Sequence, residues 1–136
     1  MRQFLNGCHM KISQEQLEAV VALPGPKRYA HFVKVVADWE EVWGLYNGGW
    51  ALAATDEGRP VFPLWPAKEY ALLCVAKDWT DYEPEPFPLE EFMNELLPKL
   101  RDDMVLPGIF YTPSDNAVTP TVDQLLADLN EELEDY

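Results

Sequence analysis

The chain has 136 residues, of which 48% are hydrophobic, 12% aromatic and 25% charged. That length suits one domain, and that composition fills one core, which excludes wholesale disorder. The formal net charge of −14 is lopsided: residues 1–68 carry seven acids and seven bases, residues 69–136 seventeen acids and three bases.

An acidic half of this kind repels phosphate. Direct nucleic-acid binding is therefore disfavoured, because that affinity comes mostly from Lys and Arg displacing counterions. An anionic membrane surface is disfavoured for the same reason. A basic protein partner is allowed, and its approach would be steered by the field. Cys8 and Cys74 are too few for a disulfide framework, and no secretory signal precedes them. No apolar run approaches the roughly 18 residues of a membrane span. The expectation is a cytoplasmic protein of one domain, residues 10–136, behind an extension at residues 1–9 that lacks helical period. The oligomeric state is not legible.

In chain order, Ser13-Gln14-Glu15-Gln16 has the spacing of a capping box, and Leu17, Val20 and Val21 form one face of a short helix. Pro24-Gly25-Pro26 ends it and opens a second helix. There Tyr29, Phe32, Val33 and Val36 face one side, and Lys27, Arg28 and Lys34 the other. The two make a helical hairpin. From Glu41 the period falls to two, and Val42–Tyr46, Trp50–Ala54 and Pro60–Trp65 read as a three-stranded antiparallel meander. Its turns are Asn47-Gly48-Gly49 and Asp56-Glu57-Gly58.

Pro66 then starts a helix reaching Lys77. Glu83–Phe87 carries too many prolines for a full ladder and is at most a short edge strand. A helix from Pro88 presents Leu89, Phe92, Met93, Leu96, Leu97 and Leu100, with Pro98 expected to kink or end it. Val105–Tyr111 reads as a strand. Thr119-Pro120 is an expected N-cap and N1 pair for a last amphipathic helix through Val122, Leu125, Leu126, Leu129 and Leu133. The fold class is α+β: a mixed, mostly antiparallel sheet, made of the meander plus one or two later strands, packed with helices.

Chemistry-bearing motifs are scarce. His9 lies in the extension, and His31 sits one residue off the apolar stripe, as a boundary or surface histidine. No metal-ligand spacing, nucleophile elbow, phosphate loop or dinucleotide fingerprint occurs, so the sequence offers no catalytic residue, metal site or cofactor. Cys74, flanked by Leu73 and Val75, reads as a small buried hydrophobe.

Two features remain. Asp128, Glu131 and Glu132, with Glu134 and Asp135, crowd the end of the last helix, where the macrodipole is already negative, so the tip should fray unless a basic partner neutralises it. Trp65 and Trp79 flank a helix and are expected to be partly exposed. With Tyr82 beside acids they are candidate interface anchors. Asp38 and Arg59 are the candidate polar lining of a pocket between meander and helices.

The runs Asp38-Trp39-Glu40-Glu41-Val42-Trp43-Gly44-Leu45-Tyr46 and Phe62-Pro63-Leu64-Trp65-Pro66, with Gly49–Ala53 between them, resemble the small bacterial proteins grouped as domain of unknown function 2750. The resemblance spans about Met10 to Glu134. It implies a small, bacterial, cytosolic protein with no established activity, and carries over no functional residue. A looser likeness of pattern, in Gly58–Leu64, Ile109–Pro113 and Pro120–Leu129, is to the N-terminal domain of SseB-like proteins. That implies a regulatory or immunity-type binding module. The function expected is thus a non-enzymatic protein-binding module whose acidic half meets a basic protein. The alternatives are a small-molecule binder or enzyme with its pocket at Asp38 and Arg59, and a nucleic-acid mimic.

Overall fold

Ser13 caps the first helix as its spacing requires: its hydroxyl accepts a bond from the Gln16 amide at 3.1 Å. The computed structural model describes residues 12–135, so the extension expected at residues 1–9 lies outside the described residues. Helices α1 (Gln14–Val21) and α2 (Gly25–Trp39) form the hairpin. α2 buries Phe32, Val33, Val36 and Ala37, positions three and four residues apart.

One residue breaks the expected division of α2. Arg28, expected on its polar side, is 1% exposed. Its Nε donates to the Phe110 carbonyl at 3.2 Å. One terminal nitrogen donates to the Leu23 carbonyl at 2.8 Å and the Asp115 carboxylate at 2.9 Å, and the other to the Asn116 carbonyl at 2.8 Å. A buried cation persists only when acceptors surround it, and these come mostly from more than 80 residues away.

Glu40 takes the left-handed conformation, φ 58°, and its amide closes onto the Val36 carbonyl, which turns the chain into β1 (Glu41–Tyr46). β1 pairs antiparallel with β4 (Glu83–Pro88). β2 (Ala53–Ala54) pairs antiparallel with β3 (Pro60–Leu64), and β3 runs parallel to β5 (Leu106–Ile109). The two sheets meet where Trp43 and Trp65 exchange backbone bonds of 2.8 and 2.9 Å. The expected three-stranded antiparallel meander does not form one sheet: β2 and β3 pair with each other, but β1 draws its full ladder from β4. It meets the return segment only through a Tyr46–Trp50 bridge and a bond from the Ala51 amide to the Leu45 carbonyl. The return strand is short because Trp50 folds over Gly44 and stacks on Phe87 with ring centres 4.4 Å apart.

The proline-rich segment forms a six-residue strand, longer than its composition suggests. Trp43 and Leu45 direct backbone groups away from β4, to Trp65 and Ala51, so Val42, Gly44 and Tyr46 face it. Their partners are Phe87, Glu85 and Glu83. Pro84, Pro86 and Pro88 fall on the alternate positions, where an amide would point outward. The ladder is complete, and the outer edge offers no donor to another strand.

α3 (Lys68–Val75) starts two residues after Pro66, because Trp65 and Pro66 are still buried beside the sheet. Pro98 does not end its helix. It has no amide for the Asn94 carbonyl, and the chain widens into a π turn (Phe92–Leu96) between α4 (Leu89–Glu91) and α5 (Leu97–Asp102), with the Leu97 amide reaching the Phe92 carbonyl. α6 (Val122–Leu133) is capped by Thr121 and not Thr119: the Thr121 hydroxyl accepts from the Gln124 amide at 3.0 Å. Burial of Val122, Leu125 and Leu129 sets that start and leaves Pro120 just outside. α6 packs on α2 and α5. Among the described residues no helix is long and apolar enough to cross a membrane.

Candidate functional site

Asp128, Glu131 and Glu132 come together as expected of residues three and four apart on one helix. With Asp135 they form the acidic wall of a groove of about 340 Å³, whose other wall is Tyr29, Ala30 and Val33 of α2. The Tyr29 hydroxyl donates to one Asp128 oxygen at 2.5 Å, and the Gln124 side-chain Nε2 donates to the other at 2.9 Å. Burial, then the Asp128 carboxylate, pushes the Tyr29 phenol above its ordinary value, so it stays a neutral donor. None of Asp128, Glu131, Glu132, Glu134 and Asp135 is ion-paired with a described residue; the described ion pairs lie elsewhere, at Arg28–Asp115, Lys34–Asp38, Lys99–Asp103 and Arg101–Asp123. The carbonyl end of α6 adds its partial negative charge to the same place.

The aromatic candidates sit apart from this groove. Trp65 is 0% exposed, which corrects the expectation of an exposed anchor. It stands at the junction of the two sheets, and its indole N–H is satisfied by the Tyr111 carbonyl at 2.9 Å, so a core position costs it no hydrogen bond. Trp79 is half-buried, edge-on to Trp65 at 6.1 Å and to Tyr111 at 5.7 Å. Tyr82 is half-buried against the core.

Asp38 and Arg59 are not brought together. Asp38 lies on the exposed side of α2, 4.0 Å from Lys34. Arg59 follows the turn between β2 and β3, where its Nε donates to the Met104 carbonyl at 3.5 Å. A cleft between the β2 segment and the segment after α3 does exist, of about 520 Å³, but other residues line it: Leu52–Ala54, Lys77–Trp79 and Tyr111–Asn116.

His31 is half-buried between Tyr70 and Phe110, with ring centres 6.3 Å from each. Its Nε2 and the Tyr70 hydroxyl are both buried and have no hydrogen-bond partner among the described residues. Burial lowers the His31 pKa and, with Glu69 adding, raises that of Tyr70 to about 12. Cys74 is buried, and desolvation pushes its thiol up to about 11, against the thiolate that a nucleophile needs. Among the described residues no group of three His, Cys, Asp or Glu side chains could hold a metal ion.

Reading the sequence missed Arg28, Tyr29 and Tyr111. No local signal marks them, since each acquires its role from a distant partner: Phe110 and Asp115, Asp128, and Trp65 and Trp79.

The family described as "Protein of unknown function (DUF2750)" matches residues 29–129. The chain belongs to this family. The matched span holds both tryptophan-rich runs, which meet at the Trp43–Trp65 bridge, and it includes Tyr29 and Asp128. Glu131 and Glu132 lie past its end. The DUF2750 description assigns no activity, and a comparison with curated proteins gives no match.

Proposed function

We propose that this protein is a non-enzymatic cytoplasmic binding module whose α2–α6 groove receives a basic segment of a partner protein. The observation that carries the reading is the set of carboxylates on the last turns of α6, ion-paired to no described residue and assembled with Tyr29 into one groove. Like charges three and four residues apart repel by a few tenths of a kcal/mol each, so clustering these charges costs the free protein stability. A Lys- or Arg-rich segment would relieve that repulsion. Tyr29 beside Asp128 adds an amphipathic ring of the kind enriched at interfaces. The acidic half also supports a fast, steered approach by such a partner.

The test is affinity capture of the tagged protein from its own cells, at low and at raised salt, with identification of what is retained. Raising salt from about 0.1 M to 1 M shortens the Debye length from about 10 Å to 3 Å. The reading expects a basic protein held at low salt and shed at high salt. Retention that salt leaves unchanged would remove the electrostatic basis of the proposal.

A further inference from the structure

The cleft of about 520 Å³ between β2, the segment after α3 and the 111–116 loop shares no lining residue with the acidic groove and differs from it in chemistry. Its loop is unusually constrained. Phe110 holds a left-handed backbone, φ 69°, with its amide bonded to the Leu64 carbonyl at 2.9 Å and its carbonyl bonded to buried Arg28. Thr112 and Asp115 exchange backbone bonds of 3.1 and 3.4 Å, and the Lys77 ammonium donates to the Pro113 carbonyl at 2.5 Å. Arg28 grips Asp115 and Asn116 from beneath. Non-glycine residues rarely adopt such a backbone unless the surroundings over-determine it, and a loop so fixed presents its outer groups without further ordering cost.

Those outer groups are of two kinds. Trp79 and Tyr111, both half-buried and edge-to-face with each other, put two aromatic rings in the lining, and Leu52, 56% exposed, adds an apolar side chain to it. Around them the side chains of Asp78, Ser114 and Asn116 are exposed and hydrogen-bond to no described residue, and the Lys77 ammonium keeps donors beyond its one bond. In a molecule of net charge −14 this lining is close to neutral. Lys77 offsets Asp78, and Asp115 is neutralised by Arg28 below it. A charged ligand would gain little here. A neutral ligand with a flat apolar face and a hydroxyl-rich edge would meet both the rings and the free donors and acceptors.

We infer that this cleft is a binding site for a neutral saccharide, seated with its apolar face toward Trp79 and Tyr111 and its hydroxyls toward Asp78, Ser114 and Asn116. The site is independent of the partner groove and stands or falls separately from it.

The test is a nitrogen-15 NMR titration of the full chain. The probes are cellobiose and N,N′-diacetylchitobiose, set against the deacetylated, cationic form of the latter. Saturable shifts of the Trp79 indole N–H and the 114–116 amides are expected with at least one neutral disaccharide, with Kd of about 1 mM or tighter. The cationic form should bind more weakly than its acetylated counterpart. Trp79→Ala should weaken binding at least about tenfold, the loss of roughly 1.4 kcal/mol of contact. Because Trp79 packs on Trp65, the exposed pair Ser114→Ala/Asn116→Ala serves as the second variant, expected to weaken binding without altering the unfolding midpoint. Absence of saturable shifts with both neutral sugars at about 10 mM would overturn the inference. So would equal or tighter binding of the cationic form, or shifts that survive unchanged in the double variant.

Discussion

Arg28→Ala should be among the most damaging single substitutions on α2. The Nε bond to the Phe110 carbonyl is buried, and the other three bonds are partly buried. A buried carbonyl left without a donor costs about 1–3 kcal/mol, whereas the part-buried acceptors can recover water. The side chain is 1% exposed, so its removal also leaves a void. Against these losses, the desolvation penalty of a buried guanidinium disappears. The net loss should be about 3 kcal/mol, from the orphaned Phe110 carbonyl and the void together. In a domain of this size that lowers the unfolding midpoint by about 10 °C.

Urea unfolding followed by tryptophan emission reads the change directly. Asp115→Asn is the control. The asparagine oxygen can still accept from Arg28, whose three carbonyl acceptors remain, so losing this 56% exposed carboxylate should cost about 1 kcal/mol. An Arg28→Ala protein within about 1 kcal/mol of the parent, or an Asp115→Asn protein equally damaged, would show that the four-bond clamp does not hold the 110–116 loop as argued.

Gly108→Ala should destabilise by about 1–3 kcal/mol, because a Cβ there would stand 2.3 Å from a Val61 methyl, and Val61→Ala in the same chain should recover part of the loss in the same urea assay. Burial lowers the His31 pKa below 6.5, so the unfolded chain takes up the proton first. Stability should therefore be full above that pH and fall as pH drops through it toward the lower native value, a slope that His31→Gln removes in pH-dependent thermal melts. Asp115 acts in the same direction at lower pH: its hydrogen bond from Arg28 lowers its pKa, so that contribution is present above pH 3.8 and is lost only as pH falls through the depressed native value. Glu131→Lys and Glu132→Lys should each raise the melting stability of the free protein by about 0.3 kcal/mol, by easing repulsion and complementing the end of α6, while reducing partner capture.

The elements were legible wherever local chemistry decides. Ser13 has the cap spacing, α2 and α6 have their apolar stripes, and the glycine turns punctuate the hairpin region. What the sequence hid are outcomes of long-range geometry. The prolines of β4 look prohibitive until the ladder's phase puts Pro84, Pro86 and Pro88 on the outward positions. Pro98 looks like a stop until the helix widens to pass it. Trp65 reads as a boundary residue because its hydrogen-bond acceptor, the Tyr111 carbonyl, is 46 residues away. Of the candidate site residues, Asp128, Glu131 and Glu132 were visible because one helix carries all three. Tyr29, on the opposite wall, was not, and the pairing of Asp38 with Arg59 failed because nothing local related them.

The most direct test of the acidic groove compares the parent with the variant Asp128→Lys/Glu131→Lys/Glu132→Lys in parallel capture from the native cells at low salt, with circular dichroism to show that both are folded. The account predicts that the basic protein retained by the parent is lost by the variant. Equal retention of the same protein by a folded variant would place the contact elsewhere on the molecule and contradict it.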